Sequence, residues 1–292
     1  MNKTLPAHRR VQAIARHLRT TALDSTSPPS NTTAAATAVT DPSHTTPSLT
    51  ATTTLLEQVD TLEVQSHHQE IVALLTPLLA TTTTTATTTT GEYSWRLARA
   101  HERLWQASMV NKHTTKAATH FQQGLTHSQQ AVEQSPTSGQ AHKWRAIYLA
   151  MQADSGGMLS SAKNASAIDT HLRTALITLT EDATLHYMMG RTTFSCAGAT
   201  WSERAAVKLI GYTVPKATFV EAVGHFRRAQ KSTSNVTNCL WLGKSYLKSE
   251  KNPVKSKELG TKWLTRASRM KCVTDEDTMA QKEALRELKN LR

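Results

Sequence analysis

No stretch of this 292-residue chain is apolar for long enough to cross a membrane as a helix. Roughly 18 consecutive apolar residues are needed. The longest run, Ile71 to Ala80, holds Thr76 and Pro77 and stops well short. Cysteine is scarce: Cys196, Cys239 and Cys272 stand far apart and form no Cys-x-x-C pair. That excludes a thiolate zinc framework and a disulfide scaffold, and fits reduced thiols in a cytosol-like compartment. Beyond Gly91, glycine and proline are few and β-branched alternation is missing, so strands are not expected there. Catalytic signatures are also missing. No Gly-rich phosphate loop, Gly-x-Ser-x-Gly or His-Glu-x-x-His occurs. The sequence therefore calls for no cofactor, no metal and no enzymatic activity.

Acidic residues are the next shortage, with 22 Asp and Glu against 34 Lys and Arg, a net charge of +12. The imbalance is not uniform. Residues 1–90 carry five basic and six acidic side chains, whereas 91–292 carry 29 basic and 16 acidic. The excess thus belongs to the part with a core to fold, and it attracts anionic partners of some kind.

The first ninety residues are poor in apolar side chains. Residues 1–54 read as a disordered Ser/Thr/Pro-rich leader, unable to offset the entropy of ordering its backbone. Within it, residues 8–20 place Arg9, Gln12, Arg16 and Arg19 on one helical face and Val11, Ile14, Ala15 and Leu18 on the other. That spacing suits a mitochondrial targeting helix, or simply a short basic stretch in a loose terminus. Residues 55–80 read as a helical hairpin docking on the main domain, with Leu55, Val59 and Leu62 on one stripe and Ile71, Leu74, Leu75 and Leu78 on another. Ser66 at the break is expected to cap the second helix. Thr81–Thr85 and Thr87–Thr90 make residues 81–90 a threonine-rich linker, because threonine loses rotamer freedom in a helix.

Residues 91–292 repeat a two-helix pattern. The second helix carries small, large and small residues at spacings of 4 and 3: Gly124, Ser128, Ala131; Ile168, Leu172, Ala175; Ala222, Phe226, Ala229; Gly260, Leu264, Ala267. Small residues sit where two helices cross closely, and large ones fill the space beside them. Partner helices precede these at Trp95/Ala98, Trp144/Ile147/Met151, His186/Met189/Gly190 and Cys239/Leu242/Gly243/Tyr246. The anchoring alanines Ala131, Ala175, Ala229 and Ala267 are 44, 54 and 38 residues apart, longer than the usual period of about 34. The excess falls between the helices of a pair, as in 201–216. The expected fold is all-α: a tetratricopeptide-like α-α solenoid of about four degenerate helix pairs behind the N-terminal hairpin.

Several stretches are specific beyond the repeat. They are Trp95-Arg96-Leu97-Ala98-Arg99-Ala100, His142-Lys143-Trp144 with Ala146-Ile147, His186 with Met189-Gly190, Trp201 with Arg204 and Ala205, and Leu242-Gly243-Lys244-Ser245-Tyr246-Leu247-Lys248. In order and spacing the chain resembles the regulator of microtubule dynamics family over about Leu55 to Leu288. The resemblance implies a tetratricopeptide-like helical domain and association with microtubules and spindle poles. Some members are mitochondrial, and one membrane-anchored branch binds phospholipid at organelle contacts. No apolar run here matches that branch's transmembrane anchor, so its tethering role is not carried over. The address implied is cytoplasmic, on the cytoskeleton or spindle, with the mitochondrion as the alternative.

The clearest candidate site is the run from Arg227 to Lys271, with twelve basic residues against Glu250 and Glu258. A solvated surface ordinarily mixes signs. Arg227, Arg228, Lys231, Lys244, Lys248, Lys251, Lys255 and Lys257 are the expected partner-binding cations, and the acidic tails of tubulin are the partner that the resemblance implies. Trp201 and Arg204, in the longest insert, are candidates for lining a concave groove or touching anionic phospholipid. RNA binding fits the charge but not the irregular repeats, so nucleic acid is not the expected partner. Trp95 and Trp144 read as core. His142 and His186 read as packing or hydrogen-bonding residues, while His67-His68 diverge by about 100° on a helix. Oligomeric state is not legible.

Overall fold

The computed structural model describes residues 49–81, 87–155, 157–232, 234–249 and 253–291. The basic stretch 8–20, most of the leader and Lys251 lie outside them. Among the described residues the chain forms twelve α-helices and no strand. Helices α1 (Leu49–Val64) and α2 (His68–Thr81) make a hairpin. Two helix pairs follow: α3 (Thr87–Val110) with α4 (Thr114–Gln134), then α5 (Gly139–Ser155) with α6 (Gly157–Thr178). The third pair is interrupted, since α7 (Ala183–Ala197) and α9 (Phe219–Ser232) are separated by the short α8 (Trp201–Leu209). Helices α10 (Val236–Lys248) and α11 (Pro253–Arg269) form the fourth pair, and α12 (Asp275–Asn290) ends the array.

Each pair packs internally, and α5, α7, α10 and α12 each pack on the second helix of the pair before them. This is the all-α, α-α solenoid that the repeated pattern leads one to expect. The small residues stand at the crossings: Gly124, Ala131, Ala175, Ala222, Ala229, Gly260 and Ala267 are all buried. A Cβ on Gly124 would fall 1.8 Å from the Tyr148 hydroxyl, whose oxygen donates to the Ala98 carbonyl at 2.9 Å. Gly243 and Gly260 face each other so closely that a Cβ on either would lie 3.1 Å from the other's carbonyl oxygen. Trp95, Trp144 and Ile147 share the first core with Ala131, Leu172 and Ala175. Phe226, Ala222, Ala229 and Trp241 build the second, with Tyr246 packed against it. Val59, Ile71 and Leu75 of the hairpin pack on Tyr93, Leu97 and Ala100 of α3.

Local chemistry sets the helix starts. Asp182 accepts the Leu185 N–H at 2.9 Å, and Asn235 accepts that of Asn238 at 2.7 Å. Thr200 with Glu203 and Thr274 with Asp277 form reciprocal capping boxes on α8 and α12. Ser66 does a different job from the expected N-cap. It takes φ 62° and closes α1, while the His67 N–H reaches back to the Leu62 carbonyl at 2.9 Å. Lys112 repeats the device at φ 58°, with His113 N–H on the Ser108 carbonyl at 2.8 Å. Both turns use a left-handed residue to end a helix, a position glycine ordinarily fills.

Two boundaries differ from the sequence reading. Helix α1 begins at Leu49 rather than Leu55, and α3 begins at Thr87, inside the supposed linker. Thr90 is buried, and the helix runs on through the buried Tyr93 and Trp95. Threonine costs a helix only about 0.5 kcal/mol per residue relative to alanine, so tertiary packing overrides it.

Candidate interaction surfaces

Paired imidazoles fix the register of the repeats. His142 Nδ1 lies 2.8 Å from His171 Nδ1, and His186 Nδ1 lies 3.2 Å from His225 Nδ1, each joining a first helix to its second helix. His142 Nε2 is 2.8 Å from the Pro136 carbonyl oxygen and His186 Nε2 is 2.8 Å from that of Thr180. A carbonyl only accepts, so both Nε2 atoms carry a proton. Their Nδ1 atoms then accept, and His171 and His225 donate from Nδ1. A third cluster stands in the first pair, where His101 Nδ1 lies 3.3 Å from His120 Nδ1 and the His101 ring stacks on His127. Burial, reinforced by the neighbouring charged groups, pushes His101 down to about 3 and both His171 and His225 down to about 4.

This register makes Ala146 the counterpart of Gly190, four residues after the paired histidine in each helix. Trp144 is therefore buried core, but it stands two residues beyond the signature position read from the sequence. The residue after the small position is Arg191 in α7 and Lys244 in α10, following Gly190 and Gly243. In α3 the corresponding cation, after Ala98, is Arg99.

These inner cations are committed within the molecule. Arg96 pairs with Asp60 at 2.8 Å and Glu92 at 2.6 Å. Arg99 reaches Asp60 at 3.0 Å and Glu63 at 3.3 Å, and Arg103 reaches Glu63 at 3.5 Å. Burial alone would raise both carboxyls, but for Asp60 hydrogen bonds and charge from Arg96 and Arg99 outweigh it and hold the group low. Glu63 is likewise held low by His68, Arg99 and Arg103. Lys143 pairs with Asp182 at 2.6 Å. Lys244 pairs with Glu283 of α12 and lies 4.4 Å from the centroid of Trp241. Lys244 thus joins α10 to α12 and is only partly exposed, unlike the free surface cation expected from its place in the basic run.

The outward cations are different. Lys255, Lys262, Arg266 and Arg269 of α11 follow spacings of 7, 4 and 3, fall on one stripe and are exposed. Arg227, Arg228 and Lys231 are exposed on α9. Arg266 donates to Ser234 Oγ at 3.0 Å, which draws the ends of α9 and α11 together. Lys248 is exposed at the last residue of α10, and Lys257 is exposed on another side of α11.

Helix α8 buries none of its residues. It is held by Arg204, which donates to the carbonyls of Cys196, Ala199 and Val214. That leaves Trp201 83% and Leu209 88% exposed, with Ile210 beside them. Trp201 faces solvent rather than a groove, and Arg204 is a structural clasp.

The family model described as Regulator of microtubule dynamics protein 1-3 matches residues 55–292, nearly all of the described array. The chain belongs to this family. Regulator of microtubule dynamics protein 1 of Bos taurus is 32% identical over 232 residues, covering 79% of this chain and 69% of that protein. Its Homo sapiens counterpart is 33% identical over 192 residues, 65% of this chain and 59% of that one. Regulator of microtubule dynamics protein 2 of Homo sapiens is 27% identical over 66% of this chain but only 45% of its own length. A solved tetratricopeptide protein of Thermus thermophilus overlays 80% of this chain and 99% of that one, with TM-score 0.43 and 13% identity.

Within this member of the regulator of microtubule dynamics family, the motif stretches have physical roles. Trp95-Arg96-Leu97-Ala98-Arg99 holds the hairpin through Asp60 and Glu63, while Leu242-Gly243-Lys244 holds α12. The histidines His171 and His225 were not singled out by sequence, although each immediately precedes a large second-helix residue, Leu172 or Phe226. No helix of the described residues is long and apolar enough to cross a membrane.

Proposed function

We propose that the protein is a non-enzymatic microtubule-associated scaffold, whose outward cations on α9 and α11 bind acidic partners such as the tails of tubulin. Its relatives are named regulators of microtubule dynamics. The observation that carries the finer reading is the exposed stripe Lys255, Lys262, Arg266 and Arg269 beside Arg227, Arg228 and Lys231. The inner cations Arg99, Lys143 and Lys244 are paired with the chain's own carboxylates, so the reading rests on the outward set. The scaffold reading draws further support from the histidines, whose ring nitrogens are turned onto each other and onto carbonyl oxygens. Through such binding the protein would regulate microtubule dynamics or spindle organisation in the cytoplasm. Contacts between exposed charges are screened within about 8 Å at physiological salt. Co-sedimentation with polymerised tubulin should therefore be strong at low salt and fall steeply as salt rises; absence of pelleting at low salt rejects direct binding.

A second reading is favoured by one observation, the exposed Trp201, Leu209 and Ile210 with Lys208 on and beside a helix held by Arg204. A tryptophan and aliphatics beside a lysine suit an anionic phospholipid surface. Flotation with phosphatidylserine-containing liposomes tests it: loss of flotation in Trp201→Ala supports it, and no flotation of the parent protein rejects it.

A further inference from the structure

Between α7 and α9 the chain runs from Ala197 to Glu221 without one buried residue. The flanking helices differ sharply: α7 buries eleven residues and α9 buries four, Phe226 and Ala229 of the second core among them. None of the extensive helix–helix contacts involves α8. The base of this insert is nonetheless closed, because the rings of Phe194 and Phe219 meet edge to face with centroids 5.1 Å apart. Phe194 meets Trp241 of α10 in the same way at 5.2 Å. Helices α7, α9 and α10 are therefore joined without help from the insert.

Arg204 spans the insert. From α8 its guanidinium donates to the Cys196 carbonyl in the last turn of α7 and to that of Ala199 at 3.3 Å. It also donates to the carbonyls of Val214 at 3.3 Å and Pro215 at 3.5 Å in the returning segment. The planar fork lets one side chain hold both sides at once. Within the insert, the Thr200–Glu203 capping box starts α8. Gly211 at φ 83° ends it, with the Tyr212 N–H on the Val207 carbonyl at 3.1 Å. These local devices are not enough alone, since a nine-residue helix falls short of the roughly 12–15 residues that hold a helix in water.

We infer that residues 199–218 are a latched unit that opens while the array stays folded, and that Arg204 is the latch. A region opens at low free energy where few apolar contacts are buried and its backbone hydrogen bonds face solvent. That describes the insert and neither of its flanking helices. Opening frees the four carbonyls and melts α8. The closed form sets Trp201, Ala205 and Lys208 along one stripe at spacings of 4 and 3, with Leu209 and Ile210 at its end. The latch thus decides whether the exposed apolar side chains stand together. The latch follows from the packing alone; its use in presenting that surface to phospholipid rests on the membrane reading above.

Hydrogen exchange of the full chain tests it. Amides of Ala205 to Leu209 should exchange about a hundredfold faster than those in the middle of α7 and α9. Arg204→Gln should speed exchange at Ala205 to Leu209 by about a further tenfold. It should leave exchange in α7 and α9, and the melting temperature of the array, unchanged. Equal protection of α8 and α7 in the parent overturns the proposal, because the insert then opens only with the array. Indifference of α8 exchange to Arg204→Gln overturns Arg204 as the latch. Where the parent floats with phosphatidylserine-containing liposomes, Arg204→Gln should lose most of that flotation although Trp201 is intact; undiminished flotation overturns the link between latch and surface. A parent that does not float rejects the membrane reading, while exchange still decides the latch.

Discussion

The Arg191 guanidinium of α7 lies 3.7 Å from the centroid of the Trp241 ring of α10. Arg191 is 1% exposed and donates from Nη1 to the Tyr187 hydroxyl at 2.8 Å. Burial raises the Tyr187 phenol well above its ordinary value, so it stays neutral and accepts. The contact joins the third helix pair to the fourth, and the flat guanidinium suits it in a way an ammonium does not. Arg191→Lys should cost about 1–2 kcal/mol through loss of stacking and of one donor geometry. Arg191→Ala should cost about 3 kcal/mol or more, since it leaves a buried cavity and takes a charged donor from the Tyr187 hydroxyl. Urea unfolding followed by tryptophan fluorescence measures both; equal stability of the parent and Arg191→Ala contradicts the assignment.

Two glycine substitutions should move stability in opposite directions. At Gly124 a Cβ collides with the Tyr148 ring, whereas at Gly224 of α9 nothing lies within 4 Å. Gly124→Ala should lose about 2 kcal/mol or more by overpacking. Gly224→Ala should gain about 0.5–1 kcal/mol from helix propensity alone. Thermal melts of the two variants beside the parent test the contrast.

Acid should loosen the array through its imidazoles. The folded values of about 3 for His101 and about 4 for His171 and His225 lie below an unfolded value near 6.5. Their contribution is therefore complete above pH 6.5 and is lost as pH falls from there toward 4. By linkage each imidazole loses stabilisation across that window, by less than its full shift implies because His171 and His225 are only partly buried. Asp60 and Glu63, held low, add a further loss at lower pH, below their unfolded values near 4. Urea midpoints at pH 7 and pH 5 should differ clearly in the parent and less in His171→Asn/His225→Asn. An unchanged pH slope in the double variant would remove the imidazole pairs from the account.

The left-handed turns offer a gain. A non-glycine residue at φ near +60° costs about 1–2 kcal/mol, and glycine returns part of that as unfolded-chain entropy. Lys112→Gly and Ser66→Gly should each stabilise by roughly 0.5 kcal/mol. A lowered urea midpoint in both would contradict the strain reading.

The helix pairs were legible because close crossings demand small residues, and Ala131, Ala175, Ala229 and Ala267 mark them at unequal but ordered intervals. The register of the second pair was not, because Trp144 is large and buried like a signature residue, whereas the His142–His171 contact aligns His142 with His186 and so the buried Ala146 with Gly190. The role of Lys244 was hidden for another reason. Its partner Glu283 stands 39 residues away on a helix whose packing no local pattern reveals. Thr87–Thr90 misled because propensity is weak beside burial. The Thr274–Asp277 capping box that starts α12 went unread, although its Thr-x-x-Asp spacing stands in the sequence.

The most direct test of the scaffold reading compares intact microtubules with microtubules stripped of their acidic tails by limited proteolysis. The parent protein should pellet with the first at low salt and lose most of its binding to the second. A variant carrying Lys255→Glu, Lys262→Glu, Arg266→Glu and Arg269→Glu should fail on both. Equal pelleting of parent and variant, or indifference to the tails, would contradict the account.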